Sequence, residues 1–162
     1  MTRRALFTLL LLALSPAALP FVARAADTDH AQARLPTENL TIVTRDGQRH
    51  VFHVEMALTG DQQEVGLMLR PTVVADGGML FDWHRTQQSL MWMKNTVAPL
   101  DMLFIRQDGT IGHIAERCEP YSLAIIDGTV PVRATLEVAA GTAERLDIRV
   151  GDRVEQRILN GS

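Results

Sequence analysis

Lysine is nearly absent from this chain. Of its 16 basic residues only Lys94 is a lysine, and the others are arginines. An ammonium is a compact point charge and a guanidinium a planar fork, so the two are not interchangeable, and the one position that keeps an ammonium marks a place to look. Cysteine is equally scarce. Cys118 stands alone, which excludes an intramolecular disulfide even in an oxidising compartment. It also lies too far from the N-terminus to be the acylated cysteine of a lipoprotein. It reads either as a small buried residue or as a reactive thiol open to an intermolecular bridge. Without staples the fold must rest on an ordinary hydrophobic core, for which a 46% apolar composition is sufficient.

Long hydrophobic runs are missing too. The longest, Ala5 to Leu14, falls short of the roughly 20 residues that span a bilayer. It follows the basic pair Arg3 and Arg4 and precedes Ala23-Arg24-Ala25, a small-x-small pattern. Basic region, apolar region and cleavage pattern in that order predict a signal peptide over residues 1–25, with no membrane anchor left after cleavage. The expected location is therefore periplasmic or secreted, by either the general or the twin-arginine route. Removing the signal takes three arginines and no acid, which brings the net charge to about −6. An acidic domain lacks the cationic footprint that nucleic acid or an anionic membrane requires.

Catalytic signatures are absent as well: no Gly-x-Ser-x-Gly elbow, no His-Glu-x-x-His pair, no Cys-x-x-Cys. Six methionines from Met56 to Met102 raise Cu(I), which thioethers suit. They lack Met-x-x-Met spacing and sit in apolar strand sequence, so they read as core filling. Neither a metal nor a cofactor is expected.

What remains is a series of short β-prone segments separated by Asp-Gly turns. Residues 26–38 read as a flexible leader and 39–162 as one domain. Leu40 to Val43 and Val51 to Met56 flank Asp46-Gly47 as a hairpin. In the second strand Phe52, Val54 and Met56 alternate with His53 and Glu55, predicting one buried and one wet face. Thr59 and Gln62 have capping-box spacing for a short helix to about Met68. Further strands are expected from Met79, over Ser89 to Met93, Leu100 to Arg106, Thr110 to Ile114 and Arg133 to Val138, and a last one after Val150. A turn is expected at Asp127-Gly128, and a second short helix from Gly141-Thr142 to about Leu146. The fold class is mostly β, a single compact sandwich or barrel with two short helices.

The segment Met91 to Phe104 concentrates the unusual residues. In the strand after Pro99, Leu100, Met102 and Phe104 face one way and Asp101, Leu103 and Ile105 the other. Both faces are otherwise apolar, so Asp101 needs a hydrogen-bonding or charged partner. If Asn95 to Ala98 forms a hairpin loop, Lys94 and Asp101 reach the same end of the sheet. Either Asp101 holds loop amides and Lys94 is a solvated loop tip, or the two form a binding or catalytic pair. Trp92 would stack on a ligand or fill the core.

Gly66-Leu67-Met68, Gly78-Met79-Leu80-Phe81, Trp92-Met93-Lys94-Asn95-Thr96, Pro99-Leu100-Asp101-Met102-Leu103-Phe104, and Leu136-Glu137-Val138 with Ala140-Gly141 and Gly151-Asp152 resemble domain-of-unknown-function family 192 over roughly residues 40–158. The resemblance implies a compact β-rich domain, commonly behind a signal peptide, and implies no established activity, substrate or cofactor. It marks Trp92, Lys94, Asn95, Asp101 and Glu137 as ligand-binding candidates. Gly66, Met68, Gly78, Met79, Pro99, Gly141 and Gly151 are marked as its structural motif. Cys118 to Tyr121 departs from the family's variable cysteine-containing loop by lacking a second cysteine.

The expected function is binding of a small polar or anionic ligand, or of an envelope protein, at the Lys94, Asn95 and Asp101 end of the sheet. The alternatives are a hydrolase- or lyase-like enzyme in which Lys94 acts as base or nucleophile beside Asp101, and a purely structural motif.

Overall fold

The computed structural model describes residues 27–159; the expected signal peptide lies outside them. Seven strands form one sheet: β1 (Thr37–Val43), β2 (Arg49–Ala57), β3 (Gly77–Met91), β4 (Leu100–Ile105), β5 (Ile111–Cys118), β6 (Ile126–Ala139) and β7 (Arg153–Glu155). Two short helices, α1 (Gly60–Val65) and α2 (Thr142–Arg145), and a 3-10 turn at Arg157–Leu159 are the other elements among the described residues. The strand order is β5-β4-β6-β3-β2-β1-β7. The sheet curls into a half-barrel until its two edges touch. Thr110 bridges Arg153, the Ile111 amide donates to Asp152 O at 2.9 Å, and the Val154 amide donates to Gly109 O at 2.8 Å.

Each face of the curled sheet carries its own apolar cluster. Inside the curl, Ile42 of β1, Leu103 of β4, Ile111 of β5, Leu136 of β6 and Val154 of β7 pack together although their strands stand far apart in the order. On the other face, Met79, Phe81, Met91, Leu100, Met102 and Phe104 form a second cluster with Leu67 and Met93 from the connections that cover it. Every residue of β4 is buried, as expected of a strand apolar on both faces.

Local signals fold locally. Asp46-Gly47 turns β1 into antiparallel β2, with the Thr44 amide donating to Gln48 O at 3.0 Å. Thr59 and Gln62 form the complete capping box of α1. Five expectations change. Met79 to Phe81 and Ser89 to Met91 belong to one long strand, β3, bent where His84 takes φ 57° and the register shifts. Asp127-Gly128 is no turn but lies inside β6: the Phe104 ring fills the space above Gly128, and a Cβ there would come within 2.6 Å of it. Glu55 is not on a wet face; it is 3% exposed because Arg70 and the chain before β1 cover it. Residues 27–36 have no helix or strand, yet they are fastened to the domain. Arg34 pairs with Glu55 at 3.0 Å, and the Gln32 amide donates to Gln62 O and Gly66 O at 3.0 and 2.8 Å.

The fifth change matters most. β3 and β4 are not a hairpin. Both pair antiparallel with β6, which lies between them, so they run parallel to one another and residues 92–99 are a crossover, the connection parallel strands require. That crossover lies over the second apolar face, where Met93, Thr96 and Ala98 are buried.

A cleft over the second apolar face

The crossover does not pair Lys94 with Asp101. Asp101 is fully buried, and its carboxylate accepts three backbone amides: Arg117 N at 2.8 Å, Gly141 N at 3.1 Å and Ala143 N at 2.9 Å. It fastens the end of β5 and caps the start of α2, which has no side-chain cap of its own. This is the loop-amide role, and it leaves Asp101 no surface for a ligand. Lys94 is half-buried, with its Nζ 5.1 Å from the centroid of the Trp92 ring, a cation–π distance. Asn95 takes φ 55°; its carbonyl accepts the Leu69 amide at 2.8 Å and its side chain donates to Thr28 O at 3.4 Å. Its bonds organise the loop.

Trp92 and Glu137 line the same cleft. A cleft of about 350 Å³ opens where α1 and the segment after it, β3, β6 and the crossover meet. Phe81, Trp83, Met68, Met91 and Trp92 supply its apolar walls, Gln63 and Thr96 its neutral polar groups, and Glu64 and Glu137 its two carboxyls. The size matches the lower end of small-molecule sites. Phe81 and Trp83 stack at 5.8 Å, and the Trp83 indole donates to Thr135 Oγ1 at 3.1 Å, which fixes that wall. The Gln63 side chain donates to Ala57 O and Asp82 O at 3.2 and 2.7 Å, anchoring α1 on the sheet.

Glu137 is the unusual member. It sits mid-strand in β6, between Leu136 and Val138 of the inner cluster, so alternation turns its side chain to the cleft face. Its neighbours across the sheet are Met79 on β3 and Met102 on β4, two thioethers that donate nothing. It is 4% exposed, and burial alone raises its carboxyl from the ordinary 4.5 to about 8. Gly78 lets β3 approach here: a Cβ at that position would lie 2.3 Å from the Glu137 carbonyl oxygen.

The other motif residues hold the frame. Gly66 ends α1 at φ 51°, and Gly141 and Gly151 also take positive φ. Met68 lines the cleft, Met79 is fully buried, and the Pro99 carbonyl accepts the Ala140 amide at 3.1 Å. Cys118 is buried; burial, then Asp101 and Glu137, push its thiol to about 11, which favours the neutral thiol over the nucleophilic thiolate. Among the described residues no three His, Cys, Asp or Glu side chains gather as metal ligands. Residue-level reasoning without the family resemblance does not single out Glu137. The available signal is one acid inside the apolar run Leu136 to Ala139.

Residues 41–156 match the family model DUF192, uncharacterized ACR. Two solved structures are similar. One, from Sinorhizobium meliloti 1021 and proposed to be a transcription regulator, is 46% identical with a TM-score of 0.76, covering 78% of this chain and 98% of that one. The other, a protein of unknown function from Novosphingobium aromaticivorans DSM 12444, is 35% identical with a TM-score of 0.74, covering 84% of this chain and 94% of that one. No curated protein matches the chain.

Proposed function

Because the chain belongs to the DUF192 family, a family with no activity attached, we propose its function from the cleft itself: a small-molecule-binding domain whose ligand lays an apolar body against Phe81, Trp83 and Trp92 and turns one polar group to Glu137. The observation that carries this is a nearly buried carboxyl without a partner, lining an open cleft. A fold gains nothing from such a group, since burying it costs free energy that a hydrogen bond would offset. The basic pair, apolar run and Ala23-Arg24-Ala25 at the N-terminus support export to the periplasm or beyond as part of the same proposal.

The chain's two tryptophans both line this cleft, so intrinsic fluorescence reads its occupancy. A fragment screen should yield ligands that change tryptophan emission saturably and raise Tm. Met68→Trp, which fills the cleft, should abolish those responses. Ligands that bind Met68→Trp as well as the parent protein would place the site elsewhere and sink the proposal.

One observation favours a catalytic reading. A carboxyl titrating near neutrality in a cleft suits general acid–base work. On that reading Glu137 takes the role that sequence reasoning assigned to Lys94 and Asp101, and a bound ligand would be turned over rather than released intact.

A further inference from the structure

Five acids are buried among the described residues: Glu55, Asp82, Asp101, Glu137 and Asp152. Four have donors. Glu55 takes Arg70, Arg34 and the Leu35 amide. Asp82 takes Arg133 and the His84 amide. Asp101 holds its three amides, and Asp152 accepts the amides of Arg45 and Arg149 at 3.0 and 2.7 Å. Glu137 has no hydrogen bond or ion pair among the described residues. It is also the one of the five that lines the cleft.

We propose that the cleft's ligand is a cation, an ammonium on an aromatic or aliphatic body, and that Glu137 is the counter-ion it meets. This rests on the cleft being the binding site, as proposed above. The charge of the lining selects the class: its ionisable groups are Glu64 and Glu137, with no arginine, lysine or histidine among them. An anion would find no cationic partner in that lining. Three aromatic side chains, Phe81, Trp83 and Trp92, line the cleft, and Trp92 already carries one ammonium, that of Lys94, at cation–π distance. The cation therefore supplies what the arginines give Glu55 and Asp82.

The step is a proton exchange that balances. The ligand enters as ammonium, Glu137 gives its proton to solvent, and an ammonium–carboxylate pair remains. Of the charged or titratable groups on the elements packed about Glu137, Glu64 of α1 shares the cleft lining, Cys118 at the end of β5 feels its charge, Asp101 lies on the paired strand β4, and Lys94 of the crossover stands over Trp92. Asp101 is committed to amides, and Cys118 stays protonated below about 11. Because Glu137 is mostly protonated below about 8, binding at neutral pH must release that proton. Affinity then rises with pH, about tenfold per pH unit below that value, and levels off above it. A primary alkylamine stays charged to about pH 10, so the rise belongs to the protein.

The test is calorimetric titration of the protein with 2-phenylethylamine, 2-phenylethanol and phenylacetate. It is run at pH 6, 7 and 9 in buffers of different ionisation enthalpy, with tryptophan fluorescence in parallel. The amine should bind tightest, release close to one proton at pH 7 and almost none at pH 9, and lose at least about tenfold affinity in Glu137→Gln. That substitution keeps the neutral shape of the protonated acid, so the variant should fold, which a single cooperative thermal transition shows. Equal binding of alcohol and amine, or amine binding without proton release, overturns the cation and leaves the cleft as a binding site. If none of the three perturbs the tryptophans, both proposals fall.

Discussion

Replacing Glu137 by Gln should change how stability depends on pH. In the unfolded chain the carboxyl titrates at its ordinary 4.5, and in the fold at about 8. The fold therefore favours the protonated form. Glu137's favourable contribution is complete below pH 4.5, fades as pH rises toward 8, and is gone above that. Each tenfold step in the ratio of proton affinities is worth about 1.4 kcal/mol. The parent protein should thus lose roughly 3 kcal/mol from this group between pH 4.5 and pH 7, and about 4 kcal/mol by pH 9. Gln cannot ionise and loses none of it. The amide carries its own fixed penalty for burial without a partner, about 1–3 kcal/mol, which shifts the curve without tilting it. Glu55 and Asp82 sit below the ordinary carboxylate range. Burial, the largest single cause, pushes them up, but their donors together outweigh it: Arg70, the Leu35 amide and Arg34 on Glu55, and Arg133 with the His84 amide on Asp82. Their contributions are lost only as pH falls into the acid range, and equally in both proteins. Urea unfolding followed by tryptophan emission at pH 4.5, 6, 7 and 8.5 gives the difference directly. Glu137→Gln should gain on the parent steadily as pH rises. Two parallel profiles would mean that Glu137 ionises in the fold at little penalty, and would refute the account of the cleft as well.

Other outcomes follow from the same geometry. Asp101→Ala strands three amides, that of Ala143 buried and those of Arg117 and Gly141 partly so, and should destabilise by on the order of 2–4 kcal/mol in urea unfolding. A loss under 1 kcal/mol would show that the loops do not depend on it. Gly78→Ala drives a methyl group into the Glu137 carbonyl and should cost about 3 kcal/mol or more through forced separation of β3 from β6, read as a fall in Tm. The Cys118 thiol should react with a disulfide reagent at pH 8 far more slowly in the folded protein than in urea, and comparable rates would contradict its burial.

Where pairing is local, the sequence was easy to read. Leu40 to Val43, Asp46-Gly47 and Val51 to Met56 carry their own turn chemistry, and Thr59 with Gln62 carries its own cap. The hairpin expected between β3 and β4 failed because β6, more than twenty residues onward, inserts between them, and no local pattern around Asn95 to Ala98 reports that. Asp127-Gly128 has turn composition, but its glycine serves the Phe104 ring. Glu55 alternates like a surface residue until Arg70 and Leu35 arrive from elsewhere to cover it. Apolar flanks on both sides of Asp101 did signal that it needs a partner, though not that amides would supply it. At Glu137 the decisive fact is an absence, two methionines where a donor would stand, and it depends on the register of β6 with both neighbours.

The fastening of residues 27–35 has a practical side. Gln32 is tied to Gln62 and Gly66, and Thr28 to Asn95, so the chain joins the domain along one lip of the cleft, where Gly66 and Thr96 stand. Anything fused ahead of Asp27 is tethered within a few residues of the mouth, at an effective concentration set by that short link. A purification tag placed there, above all an oligohistidine, would compete with a soluble ligand for the opening. The C-terminal side runs through Ile158 and Leu159 into the inner cluster on the opposite face of the sheet, which makes it the better place for a label.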